Sequence, residues 1–169
     1  MTGSCDGAPL WASIDPAKGK SGVARWMGDV LLSTLVVKPR GNKGRFYCGA
    51  DVCSNRFGAW VSAIHRESAI VVERGMGGRI NVAEAQGWIR GYLAAECDIM
   101  GIDCTEINVS EWRRVIKEDQ GVSWPRDSAR CKALAVRLVH DLYGRDVTED
   151  EADAVLLGRA AIRMGVAGA

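Results

Sequence analysis

Asp15, Glu73, Asp150 and Asp153 are the residues of this 169-residue chain whose types and spacing point to chemistry. Asp15 ends an otherwise apolar run (Leu10, Trp11, Ala12, Ile14). Pro16 keeps it extended, because a residue before proline is pushed out of the helical region. Aspartate is depleted from strands, and an unpaired buried charge is costly, so Asp15 must be paired or hold something positive. Glu73 closes a second short apolar run, Ser68 to Glu73, in the same way. Asp150 and Asp153 are three apart at the start of a helical segment and share one face. Taken singly, they read more readily as acids favoured at a helix start by the macrodipole. The combination and its order carry more weight: strand Asp, later strand Glu, then a final helix with two Asp. Converged, these carboxylates could hold two divalent cations about 3.5–4 Å apart, the arrangement that activates a water and stabilises the leaving oxygen in phosphodiester cleavage. Magnesium suits such a hard, all-oxygen site.

The net charge is only +1, so global charge does not announce a nucleic-acid binder. The distribution says more. Basic residues gather at Lys38, Arg40, Lys43 and Arg45, at Arg113, Arg114 and Lys117, and at Arg126, Arg130, Lys132 and Arg137. Acids gather at Asp146, Glu149, Asp150, Glu151 and Asp153. A polyanion could be held by the first groups around a metal held by the last. Each cluster taken alone reads equally well as a solvated face.

Two conspicuous signals fail on physical grounds. Gly19-Lys20-Ser21 resembles the end of a phosphate loop, but Ile14 stands where that pattern needs glycine, and a strand rather than a helix follows. The glycines are more simply turn residues. The six cysteines (Cys5, Cys48, Cys53, Cys97, Cys104, Cys131) lack the close pairing of a zinc knuckle, and neither His65 nor His140 neighbours a pair. They are expected to be reduced thiols.

The elements that must position the acids follow from pattern. Leu10 to Asp15, Ser21 to Met27 and Val30 to Val37 read as three antiparallel strands, with Gly28 and Asp29 as a two-residue turn. Lys38 to Gly49 is a basic loop, and Ala50 to Glu67 carries a helical apolar face. Ser68 to Glu73 is a fourth strand. Gly75, Gly77 and Gly78 lead into a long helix with a capping box at Asn81 and Glu84, stopped by Gly101. Ile102 to Val109 is a fifth strand, and Ser110 caps a short helix containing Trp112, Val115 and Ile116. Asp127 to Tyr143 is helical with Leu134, Leu138 and Leu142 at spacing four. The last helix starts at Thr148, paired with Glu151 in a capping box, and ends near Met164.

Length and composition fit one domain over residues 10–164, with short tails at 1–9 and 165–169. The fold class is α/β, a five-stranded mixed sheet with its first three strands antiparallel, flanked by α-helices. No apolar run reaches the roughly 18–20 residues of a membrane helix, and the first ten residues lack secretory features. A cytoplasmic location is expected, with no membrane partner.

Ser13-Ile14-Asp15-Pro16, the glycine turn and Gly22-Val23-Ala24 resemble the opening of the RuvC-type Holliday-junction resolvases, of the RNase H-like nuclease superfamily, whose first strand reads Gly-Ile-Asp-Pro-Gly. Val71-Val72-Glu73 is similar to the family's second acidic strand. Asp150-Glu151-Ala152-Asp153-Ala154 resembles its closing Asp-Ala-Ala-Asp-Ala. The similarity runs from residue 10 to 162 in order and element type. It implies an RNase H-like fold and a magnesium-dependent crossover junction endonuclease of DNA recombination and repair. Such an enzyme acts as a homodimer on four-way DNA junctions, with two Mg2+ per site and Mn2+ as a substitute. Residue by residue, it implies Asp15, Glu73, Asp150 and Asp153 as metal ligands. Lys132 is implied at the phosphate beside the scissile bond, one position off the family pattern, with Arg130 as its substitute. Met76 occupies the offset of an apolar side chain near the junction centre. Lys38, Arg40, Lys43, Arg45, Arg79, Arg126 and Arg130 would hold backbone phosphates, contacts that carry affinity but little sequence information.

Ala17 stands where the family has glycine, the 75–78 segment is unusually glycine-rich, and the basic loop is longer than usual. These departures suit a divergent, phage-type member working in a host cytoplasm. Two rivals remain: a YqgF-type RNase H-like nuclease acting on RNA, and a non-catalytic protein that binds branched DNA. A sugar-kinase-like phosphotransferase is disfavoured, because the chain has no room for its second lobe.

Overall fold

A computed structural model describes residues 8–17, 20–37, 67–75 and 80–167. The elements are β1 (Leu10–Asp15), β2 (Ser21–Met27), β3 (Val30–Val37), β4 (Ala69–Arg74), α1 (Ile80–Met100), β5 (Asp103–Asn108), α2 (Val109–Gln120), α3 (Ser128–Tyr143) and α4 (Glu149–Met164). The strands form one sheet in the order β3-β2-β1-β4-β5. β1 pairs antiparallel with β2, and β2 with β3, while β1–β4 and β4–β5 are parallel. This is the expected mixed sheet. Among the described residues no helix is long and apolar enough to cross a membrane.

The apolar runs of β1 and β4 are explained by helices on both faces, since side chains alternate along a strand. Trp11, Val71 and Ile107 pack on one face with Trp112, Leu138 and Leu157 from α2, α3 and α4. Ala12, Ile14 and Val72 pack on the other with Ile89, Leu93 and Cys97 of α1. Trp11 and Trp26 stack across the β1–β2 pair with centroids 5.3 Å apart.

Small residues on its buried face let helix α4 approach the sheet closely. Ala152, Ala154, Ala160 and Ala161 are fully buried. The Ser13 hydroxyl donates to the Ala154 carbonyl at 2.7 Å and accepts from Trp26 Nε1 at 2.9 Å. Gly158 lies over this pair, and a Cβ there would fall 2.5 Å from Trp26 Nε1. The far side of α4 is tied to α2 by Asp119, which accepts from Arg159 Nε at 2.6 Å and pairs with Arg163 Nε at 2.7 Å.

Helix boundaries follow the capping chemistry with two corrections. Thr148 and Glu151 form the expected capping box, and Asp127 caps α3 by accepting from the Arg130 amide. Ser110, expected as a cap, lies inside α2, whose cap position is Asn108. The reason is the sheet: β5 stays paired to β4 through Arg74 and Asn108, so the helix begins at the next residue. Asn81 likewise lies within α1, which starts at Ile80. The Gly28–Asp29 turn joins β2 to β3, with Gly28 at φ 55°, a conformation glycine adopts without steric cost. Ser21 opens β2, and its hydroxyl bonds the Ala17 backbone, accepting from the amide at 3.0 Å. Gly19-Lys20-Ser21 thus leads into a strand rather than a helix. Cys97, Cys104 and Cys131 are free thiols. The loop from Lys38 to Gly49, residues 50–66 of the helix expected over Ala50 to Glu67, and Cys5, Cys48 and Cys53 lie outside the described residues; Glu67 itself is described, is not helical, and pairs with Arg25 at 2.6 Å.

Candidate active site

Ile14 and Val72 are partners in the parallel β1–β4 pair, so the residues that follow them, Asp15 and Glu73, end side by side at the carboxyl edge of the sheet. Alternation fixes their direction. Ser13, two residues before Asp15, bonds α4, and Val71, two before Glu73, packs in the cluster that contains α4. Both acids therefore face α4. Ser13 touches Ala154, so the first turn of α4, with Asp150 and Asp153, comes to the same edge. Gly22, paired with Asp15 across β1–β2, leaves room for it.

The electrostatics express this convergence. Burial raises the Asp15 carboxyl well above its usual range, and the charges of Glu73, Asp153 and Asp150 push it further, with Lys132 opposing. Glu73, 8% exposed, is raised by burial and by Asp153, while a hydrogen bond from Trp112 and the charge of Arg113 act against the rise. Asp153 is raised by burial, opposed by Arg113 and Lys132, and raised again by Asp150 and Glu149. The other three acids named from the sequence thus lie near enough to act on Asp15. Among the described residues no group of three or more acidic, histidine or cysteine side chains is arranged to hold a metal ion. Buried carboxylates with hard oxygens and few positive charges nearby are a donor set whose chemistry suits divalent cations.

Lys132 reaches the group from α3 and donates to Glu149 Oε2 at 2.8 Å. Arg126 and Arg130 are exposed and are not among the charges acting on Asp15, Glu73 or Asp153. The other basic residues named from the sequence, Lys38, Arg40, Lys43, Arg45 and Arg79, lie outside the described residues, as does Met76.

Three neighbours of these acids and of Lys132 escaped the pattern reading. Trp112 was legible only as an apolar helix residue, yet its buried Nε1 donates to Glu73 Oε2 at 2.9 Å. A buried indole needs an acceptor, and that rule is the signal that would have found it. Arg113 was visible only as part of a basic cluster. Its guanidinium carbon lies 5.2 Å from the Trp112 ring and 5.1 Å from the Trp124 ring, and Trp124 Nε1 donates to its carbonyl at 2.7 Å. This aromatic clamp holds a cation beside Glu73 and Asp153. Glu149, read as one acid among several, is the partner of Lys132.

No protein-family model matches this chain, and no curated protein matches it in sequence. Its fold does match solved structures. RuvC of Thermus thermophilus in complex with Holliday junction substrate is similar at a TM-score of 0.66 and 21% identity, over 94% of this chain and 97% of that one. A second Thermus thermophilus RuvC structure is similar at 0.65 and 19% identity, over 93% and 97%. The nearly complete coverage of both chains includes the five-stranded sheet and its helices, and the fold of this protein is that of RuvC, the RNase H-like arrangement its motifs resemble.

Proposed function

We propose that this chain is a structure-selective endonuclease that resolves four-way DNA junctions, with activity extending to other branched DNA, by two-metal-ion phosphodiester hydrolysis. The observation that carries the reading is the convergence of Asp15 and Glu73 on adjacent parallel strands with the Asp150–Asp153 turn of α4. The solved relative with the same fold is described in complex with a Holliday junction.

Asp15, Glu73, Asp150 and Asp153 would hold two Mg2+, with Mn2+ as a substitute. When bound, such ions activate a water and stabilise the leaving oxygen. The chain's own residues do the rest. Trp112 fixes one Glu73 oxygen and leaves the other free to coordinate. Lys132 exchanges Glu149 for a phosphate oxygen beside the scissile bond. Arg126, Arg130 and the basic residues at Lys38, Arg40, Lys43, Arg45 and Arg79 hold backbone phosphates, and Met76 meets the junction centre. The four acids of one chain make up one such site. Symmetric cutting of a two-fold junction therefore calls for a homodimer.

The test is cleavage by the full chain in Mg2+ of a four-way DNA junction against linear duplex, RNA and an RNA/DNA hybrid. Paired nicks in the junction are expected, and they should be lost in Asp15→Asn. Absence of cutting on every branched DNA, or undiminished cutting by Asp15→Asn, refutes the reading.

A further inference from the structure

The closing motif that residues 150–154 resemble has alanine where this chain has Glu151, and Glu151 is fully engaged. Its Oε2 accepts from the Thr148 amide at 2.9 Å and from the Thr148 hydroxyl at 2.7 Å. Its Oε1 accepts from the Thr34 hydroxyl of β3 at 2.8 Å, a link spanning 117 residues of sequence. The Thr148 amide bond, with the Glu151 amide donating back to the Thr148 hydroxyl at 3.4 Å, makes a capping box, and the Thr34 bond ties the cap to the edge strand of the sheet. A second strap runs parallel to it: Arg145, just before α4, donates from Nη2 to the carbonyls of Leu31 and Leu32 at 3.0 Å each.

The mechanical consequence lies at the site. Glu151 sits between Asp150 and Asp153, in the turn of α4 that faces Asp15 and Glu73. First helical turns fray, and repulsion among four acids pushes this one away from the sheet. Glu151 ties this turn to β3 of the sheet, with both oxygens committed to hydroxyl and amide donors.

We propose that Glu151 and Thr34 form a positioning brace that holds Asp150 and Asp153 against Asp15 and Glu73 before any cation arrives, and so sets the metal affinity of the site. The proposal rests on the nuclease reading above for the identity of the ligands. The brace acts through the helix turn and touches neither substrate nor ion.

The experiment is Mn2+ binding to the full chain by titration calorimetry, beside the Mg2+ dependence of junction cleavage. Glu151→Ala is expected to weaken Mn2+ binding about tenfold and Thr34→Val about threefold, in line with the loss of a cap and of one hydrogen bond. Half-maximal Mg2+ should rise in step, while cleavage at saturating Mg2+ changes little. Glu151→Gln, which keeps an acceptor oxygen, should restore most of the affinity. A merely structural role would lower the melting temperature without moving the Mn2+ isotherm. An unchanged isotherm in Thr34→Val and Glu151→Ala therefore overturns the brace, as does failure of Glu151→Gln to rescue. Asp15→Asn separates the two readings: if it still binds Mn2+ fully and cuts, the site itself is wrong. If it is inactive while Thr34→Val binds normally, only the brace falls.

Discussion

The backbone of Gly22 in β2 lies directly against Asp150 at the start of α4, so closely that a Cβ on Gly22 would overlap the Asp150 carbonyl oxygen. Gly22 is also the cross-strand partner of Asp15. One missing side chain therefore sets the approach of a helix-borne acid to a strand-borne one.

Gly22→Ala should push the start of α4 off the sheet. Backbone cannot yield as a flexible side chain does, so a destabilisation of about 2 kcal/mol or more is expected, with loss of junction cleavage beyond what the melting temperature explains. Gly91→Ala is the contrasting case: it lies within α1 with nothing near its Cβ position, and should stabilise by about 0.5–1 kcal/mol. Thermal melts of both variants with a cleavage assay decide this, and normal activity in Gly22→Ala would refute the close-approach argument.

Asp15 is raised by burial and by three acidic neighbours. A carboxyl whose folded pKa exceeds its unfolded value near 3.8 binds more protons when folded, so its contribution to stability falls as pH rises from that value upward. In metal-free protein at pH 7, Asp15→Asn should therefore raise the melting temperature while abolishing cleavage, with a gain on the order of 1 kcal/mol. Added Mg2+ should stabilise the parent protein more than the variant. A lower melting temperature for metal-free Asp15→Asn would contradict the repulsion.

Lys132 is held by Glu149, with both side chains about half exposed. A phosphate that binds the ammonium competes with that carboxylate for its charge. Glu149→Ala should tighten junction binding about threefold at low salt, with the difference fading as salt screens the pair. Anisotropy titrations in Ca2+ across a salt series measure it, and equal affinities throughout would show that Glu149 does not compete.

Asp119 provides the opposite pH behaviour. Burial pushes its carboxyl up, but hydrogen bonds from Gln120 and Arg159 and the charges of Arg159 and Arg163 outweigh it and hold the pKa below 3.8. Its stabilisation is complete above that value and is lost as pH falls through the lower folded value. Asp119→Asn should cost about 2–3 kcal/mol at pH 7, because two arginines lose their partner, and should flatten the acid side of the stability curve. Urea melts from pH 2 to 7 test both points.

Much of this was legible in the chain itself. Asp15 and Glu73 announce themselves because a lone acid at the end of an apolar run has few physical excuses. Thr148 with Glu151 announces a helix start because the capping rule is local. The starts of α1 and α2 were misplaced because the same rule, applied at Asn81 and Ser110, ignores where the preceding backbone is held. At Asn108 it is the pairing with Arg74 that decides.

The sequence by itself determined the described elements, their order and the choice of four candidate acids, since these rest on periodicity, capping and residue chemistry acting over a few positions. Only the tertiary structure decided which groups surround those acids. Trp112 on Glu73, Glu149 on Lys132 and Thr34 on Glu151 are contacts between residues 17 to 117 positions apart, and Arg113 is placed between Trp112 and Trp124 by the packing of the two indoles. No local rule encodes them, because the strand register and the docking of α4 bring these side chains within reach, and both are settled by burial of the whole core at once.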